Sequence, residues 1–255
     1  MKLLKNHKLL VLVFLVSIVV LWQIVAIAMH SLLIPSPKDV VSAFVELFQD
    51  GYKGSSLGEH IYASLRRLFL AFLSVALFAI PLGLFSAFNK FVRALFEPLV
   101  EFLKPLPPLG YYSILILWFG IDELSKVLLL FFAGFAPLFI ASYSAAHKIP
   151  QDFIHSAKNS GANAWQTFWR VIIPHSLPDI FTGIRISIGA SYSALVAAEM
   201  VASQSGIGWI VLDSSKFMFI DIMFAGVIII GLTGVCMDRI IVFIKSHFIH
   251  WEGKS

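Results

Sequence analysis

Residues 148–178 read KIPQDFIHSAKNSGANAWQTFWRVIIPHSLP, a long polar stretch in a strongly apolar chain. Pro150 suits the opening of a helix that runs through Phe153, Ile154 and Ala157. Gly161 ends that helix as a C-terminal cap residue would. Asn163, with Gln166 three residues on, has the pattern of a capping box. It starts a second helix, Ala164 to Ile173, which stops before Pro174. Two short helices joined at a glycine make a rigid projecting elbow, a shape that fits a groove in a soluble partner. An ordinary structured loop is the plain alternative.

On both sides of this stretch the chain turns apolar. Of its 255 residues, 58% are hydrophobic and 13% charged, against about 25% charged in a soluble domain. The mean hydropathy is +0.86, and a compact fold cannot hide that much apolar surface from water. This excludes a disordered chain, a soluble enzyme and a nucleic-acid-binding domain. The net charge of +4 is no basic stripe. Cys236 is the single cysteine, so no internal disulfide forms and nothing nearby suggests a metal site.

A membrane helix needs about 20 mostly apolar residues. Six runs qualify as candidates: Leu9–Met29, Leu65–Phe88, Tyr111–Gly120, Val127–Ala146, Ile180–Ala202 and Ile222–Ile244. The third is the weakest. Its clean part, Leu106–Gly120, has a length that also suits a re-entrant segment, and Pro98, Pro105, Pro107 and Pro108 interrupt what precedes it. With six spans and the N-terminus inside, thirteen of the nineteen Lys and Arg residues fall on the cytoplasmic side and six outside. That is the expected bias, and it places both termini in the cytoplasm. Lys2, Lys5 and Lys8 before the first run, with Ala26-Ile27-Ala28 after it, also fit a signal peptide. The run exceeds the usual apolar region of about 7–15 residues, which favours a retained span.

Between spans one and two, Ser36-Pro37-Lys38-Asp39 reads as a helix start, with Ser36 as N-cap, Pro37 at the first position and Asp39 in the first turn. Val40, Phe44, Leu47 and Phe48 then share a face. This short helix either lies on the outer membrane surface or packs against the spans. Gly51, Gly54, Ser55 and Ser56 mark a loop. In span five, Gly183, Ser187 and Ser191 form one small-residue ladder and Gly189, Ser193 and Ala197 another. Such faces serve plain helix packing, a dimer contact or the narrow wall of a substrate path. Glu199 interrupts the apolar run near the outer end of the span. An acid there needs a partner or a wet cavity, which makes it a functional candidate. Arg66 and Arg67 enter span two at the same level. One of them pairs with Glu199 to hold an outer gate, or both snorkel to the interface. After Glu199, residues 203–208 read as a turn and 209–218 as a short re-entrant or surface helix.

The chain has no engine of its own. Its Gly253-Lys254-Ser255 lacks the earlier glycine of a phosphate loop, since Phe248 stands there, and no helix follows. The eight histidines show no zinc pattern, and no nucleophile motif is present.

The elbow resembles the EAA motif of binding-protein-dependent ABC importer permeases. His155-Ser156-Ala157 through Gly161, then Val171-Ile172-Ile173-Pro174, keeps the family's spacing. Ala157, Gly161 and Pro174 match, Val171 and Ile173 are conservative replacements, and His155 and Ser156 stand where the family has Glu and Ala. The resemblance covers roughly residues 60–250. Ser64-Leu65-Arg66-Arg67, Lys104-Pro105-Leu106-Pro107-Pro108, Leu117-Trp118-Phe119-Gly120-Ile121, Leu177-Pro178 with Thr182-Gly183-Ile184-Arg185, and Val196-Ala197-Ala198-Glu199-Met200 resemble the branch for taurine, alkanesulfonates and nitrate. Within it, the taurine permeases are most similar. Phe119-Gly120-Ile121 with Ser125-Lys126, Phe135-Ala136-Pro137, and Trp251-Glu252-Gly253 carry that likeness.

The resemblance implies an all-α membrane protein of six transmembrane helices with the type I importer (MetI-like) permease fold, in a bacterial inner membrane. An N-terminal helix and periplasmic amphipathic helix (1–59) precede a permease core (60–244) and a cytoplasmic tail (245–255). It implies a transport subunit rather than an enzyme, one that pairs with a second copy of itself and passes a small organic anion, taurine or a related sulfonate, inward. Two cytoplasmic ABC ATPase subunits would bind ATP and Mg, a periplasmic binding protein would deliver substrate, and this chain would hold no cofactor. His155, Ser156, Ala157, Gly161, Ala164, Val171, Ile173 and Pro174 are then the ATPase-coupling residues. Arg66, Arg67, Ser191, Ser193 and Glu199 are the gate or substrate-path candidates. Nitrate, alkanesulfonates and thiamine precursors remain alternative substrates. A channel or secondary transporter, or an assembly protein, is the alternative class. The chain shows no inverted repeat, and the elbow has no role in a channel.

Overall fold

A computed structural model describes residues 7–29 and 33–249, and every named element among them is a helix. In chain order these are α1 (His7–Met29), α2 (Pro37–Gln49), α3 (Leu57–Phe88), α4 (Lys90–Leu103), α5 (Pro108–Phe119), α6 (Glu123–His147), α7 (Gln151–Asn159), α8 (Ala164–Thr167), a π turn (Phe168–Ile172), α9 (Ile173–Ala202), α10 (Ile207–Lys216) and α11 (Ile220–Phe248). The basic Lys2 and Lys5, His30, and the Trp251-Glu252-Gly253 and Gly253-Lys254-Ser255 readings lie outside the described residues.

Five helical stretches are long and apolar enough to cross a membrane, in α1, α3, α6, α8 to α9, and α11. The weak third span is α5. Its 12 residues reach about 18 Å, short of a hydrocarbon core of about 30 Å. Prolines set its start, with Pro107 as N-cap and Pro108 in the first turn, and Gly120 ends it at φ +79°.

Two helix boundaries differ from those expected. The second span starts eight residues before Leu65, at a capping box in which Ser56 and Glu59 satisfy each other's backbone N–H groups. The polar turn Gly58-Glu59-His60 hides this start from a search for apolar runs. At the elbow, the second helix does not stop before Pro174. The backbone stays helical from Ala164 to Ala202. The π turn just before the proline makes this possible: Ile173 N–H reaches back five residues to the Phe168 carbonyl. Wider turns of this kind absorb the irregularity that a proline brings to a helix.

The core is a bundle of α3, α6 and α9, with α5 laid against α6. Small residues let these helices approach closely. A Cβ added at Gly83 of α3 would stand 2.6 Å from the Phe139 carbonyl oxygen of α6. On α9, the ladder Gly183, Ser187 and Ser191 is buried. The Ser187 hydroxyl donates to the Gly134 carbonyl at 2.8 Å and the Ser191 hydroxyl to the Leu130 carbonyl at 2.9 Å. The second ladder is open. Ser193 is exposed, and nothing lies within 4 Å of where a Gly189 Cβ would stand.

The helix start at Ser36 forms as expected, with a capping box between Ser36 and Asp39. Only part of its shared apolar face is packed. Val40, Ala43 and Leu47 pack with Ile207, Ile210, Ala225 and Ile229, while Phe44 and Phe48 stay exposed. Ala43 and Phe44 flank the line of Val40 and Leu47 equally, and the contact with α10 and α11 is made on the Ala43 side. α2 is thus packed against α10 and α11. α1 is tied on by Trp22, whose indole N–H donates to the Pro35 carbonyl at 3.0 Å and whose ring stacks on Phe224.

The two glycines make a paired prediction. Gly83→Ala should lower the thermal midpoint of the detergent-solubilised protein, because overpacking costs about 1–3 kcal/mol. Gly189→Ala, in open space within a helix, should hold stability or raise it by about 0.5–1 kcal/mol. A Gly189 loss as large as the Gly83 loss would contradict the packing described.

Candidate functional site

Two built features sit at opposite ends of α9, about 38 Å apart along the helix from Pro174 to Glu199. The first is the elbow. Gly161, at φ +83°, turns the chain between α7 and α8. Asn163 and Gln166 form the expected capping box. The elbow is seated by Ile154 and Ile172, buried among Leu84, Ala145, Ala146, Ile149 and Ile180. Phe168 stacks on Phe85 at 5.7 Å.

Of the expected coupling residues, His155, Ser156, Gly161 and Ala164 are exposed, and Ala157, Val171, Ile173 and Pro174 are half-buried. The elbow also presents Phe153, Trp165 and Trp169, exposed by 53%, 69% and 50%. Sequence reasoning passed over these aromatics. The spacing of Trp165 and Trp169 on one helical face, with Ile172 turned inward, is the signal that could have found them.

The second feature is a buried polar knot. Glu199 has no solvent exposure and Arg67 is 4% exposed. Arg67 Nη1 donates to Glu199 Oε1 at 2.8 Å and to the Ser205 carbonyl at 2.9 Å. Its Nε and Nη2 grip both oxygens of Glu123 at 2.7 and 2.8 Å, and Nη2 also donates to Ser205 Oγ at 3.0 Å. All five guanidinium N–H groups are thereby used. The Ser64 hydroxyl lies 2.7 and 2.9 Å from the Glu199 oxygens. The Gly208 N–H donates to Glu199 Oε2 at 2.9 Å. Arg66, by contrast, is exposed and makes no ion pair among the described residues. The arginine that meets Glu199 is Arg67.

The knot ties α3, α6 and α9 to the turn before α10. Gly206 sits at φ +116°, and any Cβ there would run into the Glu199 carboxylate. His60 fixes the same turn. Its Nδ1 accepts from the Gly206 N–H at 3.2 Å, so its Nε2 carries the proton toward the Tyr52 carbonyl at 3.3 Å. Glu123, Ser64, Ser205 and His60 were not singled out from sequence, since they lie far from Glu199 along the chain or carry no mark of their own. At the rim, the Tyr52 hydroxyl donates to Asp213 at 2.9 Å and Lys53 pairs with the same carboxylate. Burial pushes the Asp213 carboxyl up, but Lys53 and Tyr52 outweigh it and hold the group below the ordinary aspartate range.

The model of the family described as binding-protein-dependent transport system inner membrane component matches residues 79–249. The chain belongs to that family. It is the permease subunit of an importer, a transport subunit whose ATP hydrolysis lies in a separate partner, and it is a multi-pass inner-membrane protein. The taurine transport system permease protein TauC of Escherichia coli (strain K12) is 33% identical over 94% of this chain and 88% of that protein. The nitrate import permease protein NrtB of Synechocystis sp. is 31% identical over 93% of this chain and 88% of its own length. Among solved structures, a chain of the MetNI methionine ABC transporter, in inward-facing conformations, aligns with TM-score 0.64 at 15% identity. It covers 76% of this permease and 94% of that chain, and shows the type I importer permease fold. The family match takes in the elbow and Glu199, while Arg67 and Ser64 precede it.

Breaking a buried ion pair by removing one partner costs about 3–5 kcal/mol. Arg67→Ala should therefore strip most of the permease's thermal stability, by leaving Glu199 buried and uncompensated. Ser64→Ala should cost about 1–3 kcal/mol, and Arg66→Ala less than about 0.5 kcal/mol. Thermal unfolding in detergent reads all three. An Arg66 effect equal to that of Arg67 would contradict the pairing.

Proposed function

We propose that the permease passes taurine or a related sulfonate from periplasm to cytoplasm, as a homodimer driven by two ATPase subunits seated on its elbows. The observation that carries the substrate reading is the 33% identity to TauC over 94% of this chain. The elbow end is cytoplasmic in this reading, with both termini on that side, in line with the excess of Lys and Arg there. A periplasmic binding protein delivers substrate at the opposite end, beside α2 and α10. ATP and Mg belong to the ATPase, and this chain holds no cofactor.

The exposed rim of Phe153, Trp165 and Trp169 supplies aromatic anchors of the kind that dominate docking energies. His155, Ser156, Ala157, Gly161 and Ala164 lie on or beside it, and Val171, Ile173 and Pro174 join it to α9. Because α8, the π turn and α9 form one helical run, a tilt of the elbow moves α9 as a rod. Arg67 and Glu199 resist that motion at the far end and act as the outer gate's clasp. Ser191 is committed to holding α9 on α6, and Ser193, on the open face, lines the path.

With its ATPase and binding protein in vesicles, the permease should show ATP hydrolysis stimulated by taurine and not by nitrate. Stimulation by nitrate alone would shift the substrate to the nitrate branch. Gly161→Val has room for its side chain within the permease, yet a Cβ at this positive φ costs about 1–2 kcal/mol. It should leave the spans folded and release the ATPase or uncouple hydrolysis from uptake. Ala157→Glu should act similarly, whereas Lys158→Ala should change little, an exposed charge contact being worth about 0–1 kcal/mol. Normal coupling in Gly161→Val would remove the elbow from the mechanism.

A further inference from the structure

Outside both features, one charged pair joins two of the long helices. Arg185 of α9 and Asp238 of α11 face each other side-on, Nε to Oδ1 and Nη2 to Oδ2, the latter at 2.8 Å. Unlike the knot, this pair is open, with side-chain exposures of 54% and 36%. Arg185 stands about 8 Å along α9 from Ile180, where the apolar run begins, and Asp238 about 9 Å from the end of the run at Ile244, so the pair falls within the elbow-side part of the apolar spans. Charges at that depth are costly against lipid and face a water-filled path or another protein group.

Three further observations favour a path. A cavity of about 160 Å³ adjoins the pair, lined by Gly189, Tyr192 and Gly234 among others. Arg185, Gly189 and Ser193 fall at successive fourth residues of α9, and all three are exposed. Arg185 also differs from Arg67 in its donors. Its Nη1 has no hydrogen-bond partner among the described residues, and Asp238 keeps unused lone pairs. The Tyr192 hydroxyl nearby is occupied by the Ile230 carbonyl and Thr233, so the cavity's free polar capacity belongs to the Arg–Asp pair.

Resting on the sulfonate reading above, we propose that Arg185 and Asp238 form a station on the substrate path that selects a zwitterion. The Nη1 N–H groups of Arg185 donate to a sulfonate while the Asp238 carboxylate accepts from the substrate's ammonium. An anion without an ammonium would meet the Arg185 charge already countered and the Asp238 charge opposed. The pair thus discriminates taurine from nitrate and from sulfonates lacking an amine. Nothing covalent occurs: the substrate exchanges water for this pair and leaves by the reverse exchange.

The test uses the permease–ATPase complex in vesicles, with Cys236→Ser to remove the native thiol. Gly189→Cys, at a position with space for a side chain, should react at similar rates with the anionic sulfonatoethyl methanethiosulfonate and its cationic trimethylammonium counterpart, because Arg185 and Asp238 counter each other. Adding Arg185→Gln should leave Asp238 uncountered and favour the cationic reagent at least about fivefold, and millimolar taurine should slow the reaction of the Gly189→Cys complex more than an equal concentration of ethanesulfonate does. In uptake with the binding protein present, Asp238→Asn should raise the KM for taurine about tenfold with kcat little changed, the pattern of a lost binding contact. No reaction of the Gly189→Cys thiol with either reagent, unchanged relative rates in the Arg185→Gln background, or equal protection by taurine and ethanesulfonate overturns the station. So does an Asp238→Asn loss confined to kcat, which would mark the pair as a helix clamp. If the parent complex fails to take up taurine while the charge-dependent labelling persists, the sulfonate reading falls and the zwitterion preference with it. Labelling that fails while taurine uptake is intact overturns the station alone.

Discussion

In lipid no backbone group can be left without a partner, which a continuous helix satisfies across the span, and the run from Ala164 to Ala202 carries that helix back through two prolines into the elbow. Had the chain broken at Pro174, the elbow would hang from the spans on a loop. The π turn at Phe168–Ile172 keeps the ladder closed, so elbow and α9 are one body. In the proposed mechanism, a displacement of the elbow would be carried along α9, past Arg185 on the open face, to Glu199 at the far end.

The two faces of α9 divide the work. Gly183, Ser187 and Ser191 hold it against α6, through hydroxyls donated to carbonyls that already sit in a helix. Such bonds are modest, and double-mutant cycles in membrane helices average about 0.6 kcal/mol. They permit sliding in a way that large interlocked side chains would not. The face of Gly189 and Ser193 carries no such ties. At the end of the helix the knot is of another kind. A saturated arginine, two carboxylates and a glycine turn with no space for a Cβ specify a single arrangement. A buried charge network is weak evidence of stability gained but strong evidence that its loss is costly.

The local signals in the sequence were sufficient wherever one short stretch decides its own structure. Ser36, Asn163 with Gln166, and Gly161 cap helices by contacts within a few residues, and each does so where its spacing indicates. The apolar runs revealed α3, α6, α9 and α11 for the same reason. What could not be read were partnerships across the chain. Glu199 announced its need for a partner, and both arginines at 66 and 67 were candidates. Choosing between adjacent residues requires the rotation of α3, which depends on its packing against α6. Glu123 and Ser205 entered the knot without any mark in the sequence. The expectation that Pro174 ends a helix failed because a proline's cost depends on the turn before it. The shared face of Val40, Phe44, Leu47 and Phe48 left packing and membrane contact both open, and the structure divides it, with Val40 and Leu47 buried and Phe44 and Phe48 exposed.

The most direct test of a permease driven through its elbow is photocrosslinking in the assembled transporter, with benzoylphenylalanine at Phe153 on the elbow or at Lys216 near the opposite end. The predicted result is the ATPase captured from position 153 alone and the periplasmic binding protein from position 216 alone. Capture of the ATPase from position 216, with none from 153, would invert the orientation and remove the elbow as the point where ATP hydrolysis reaches the membrane.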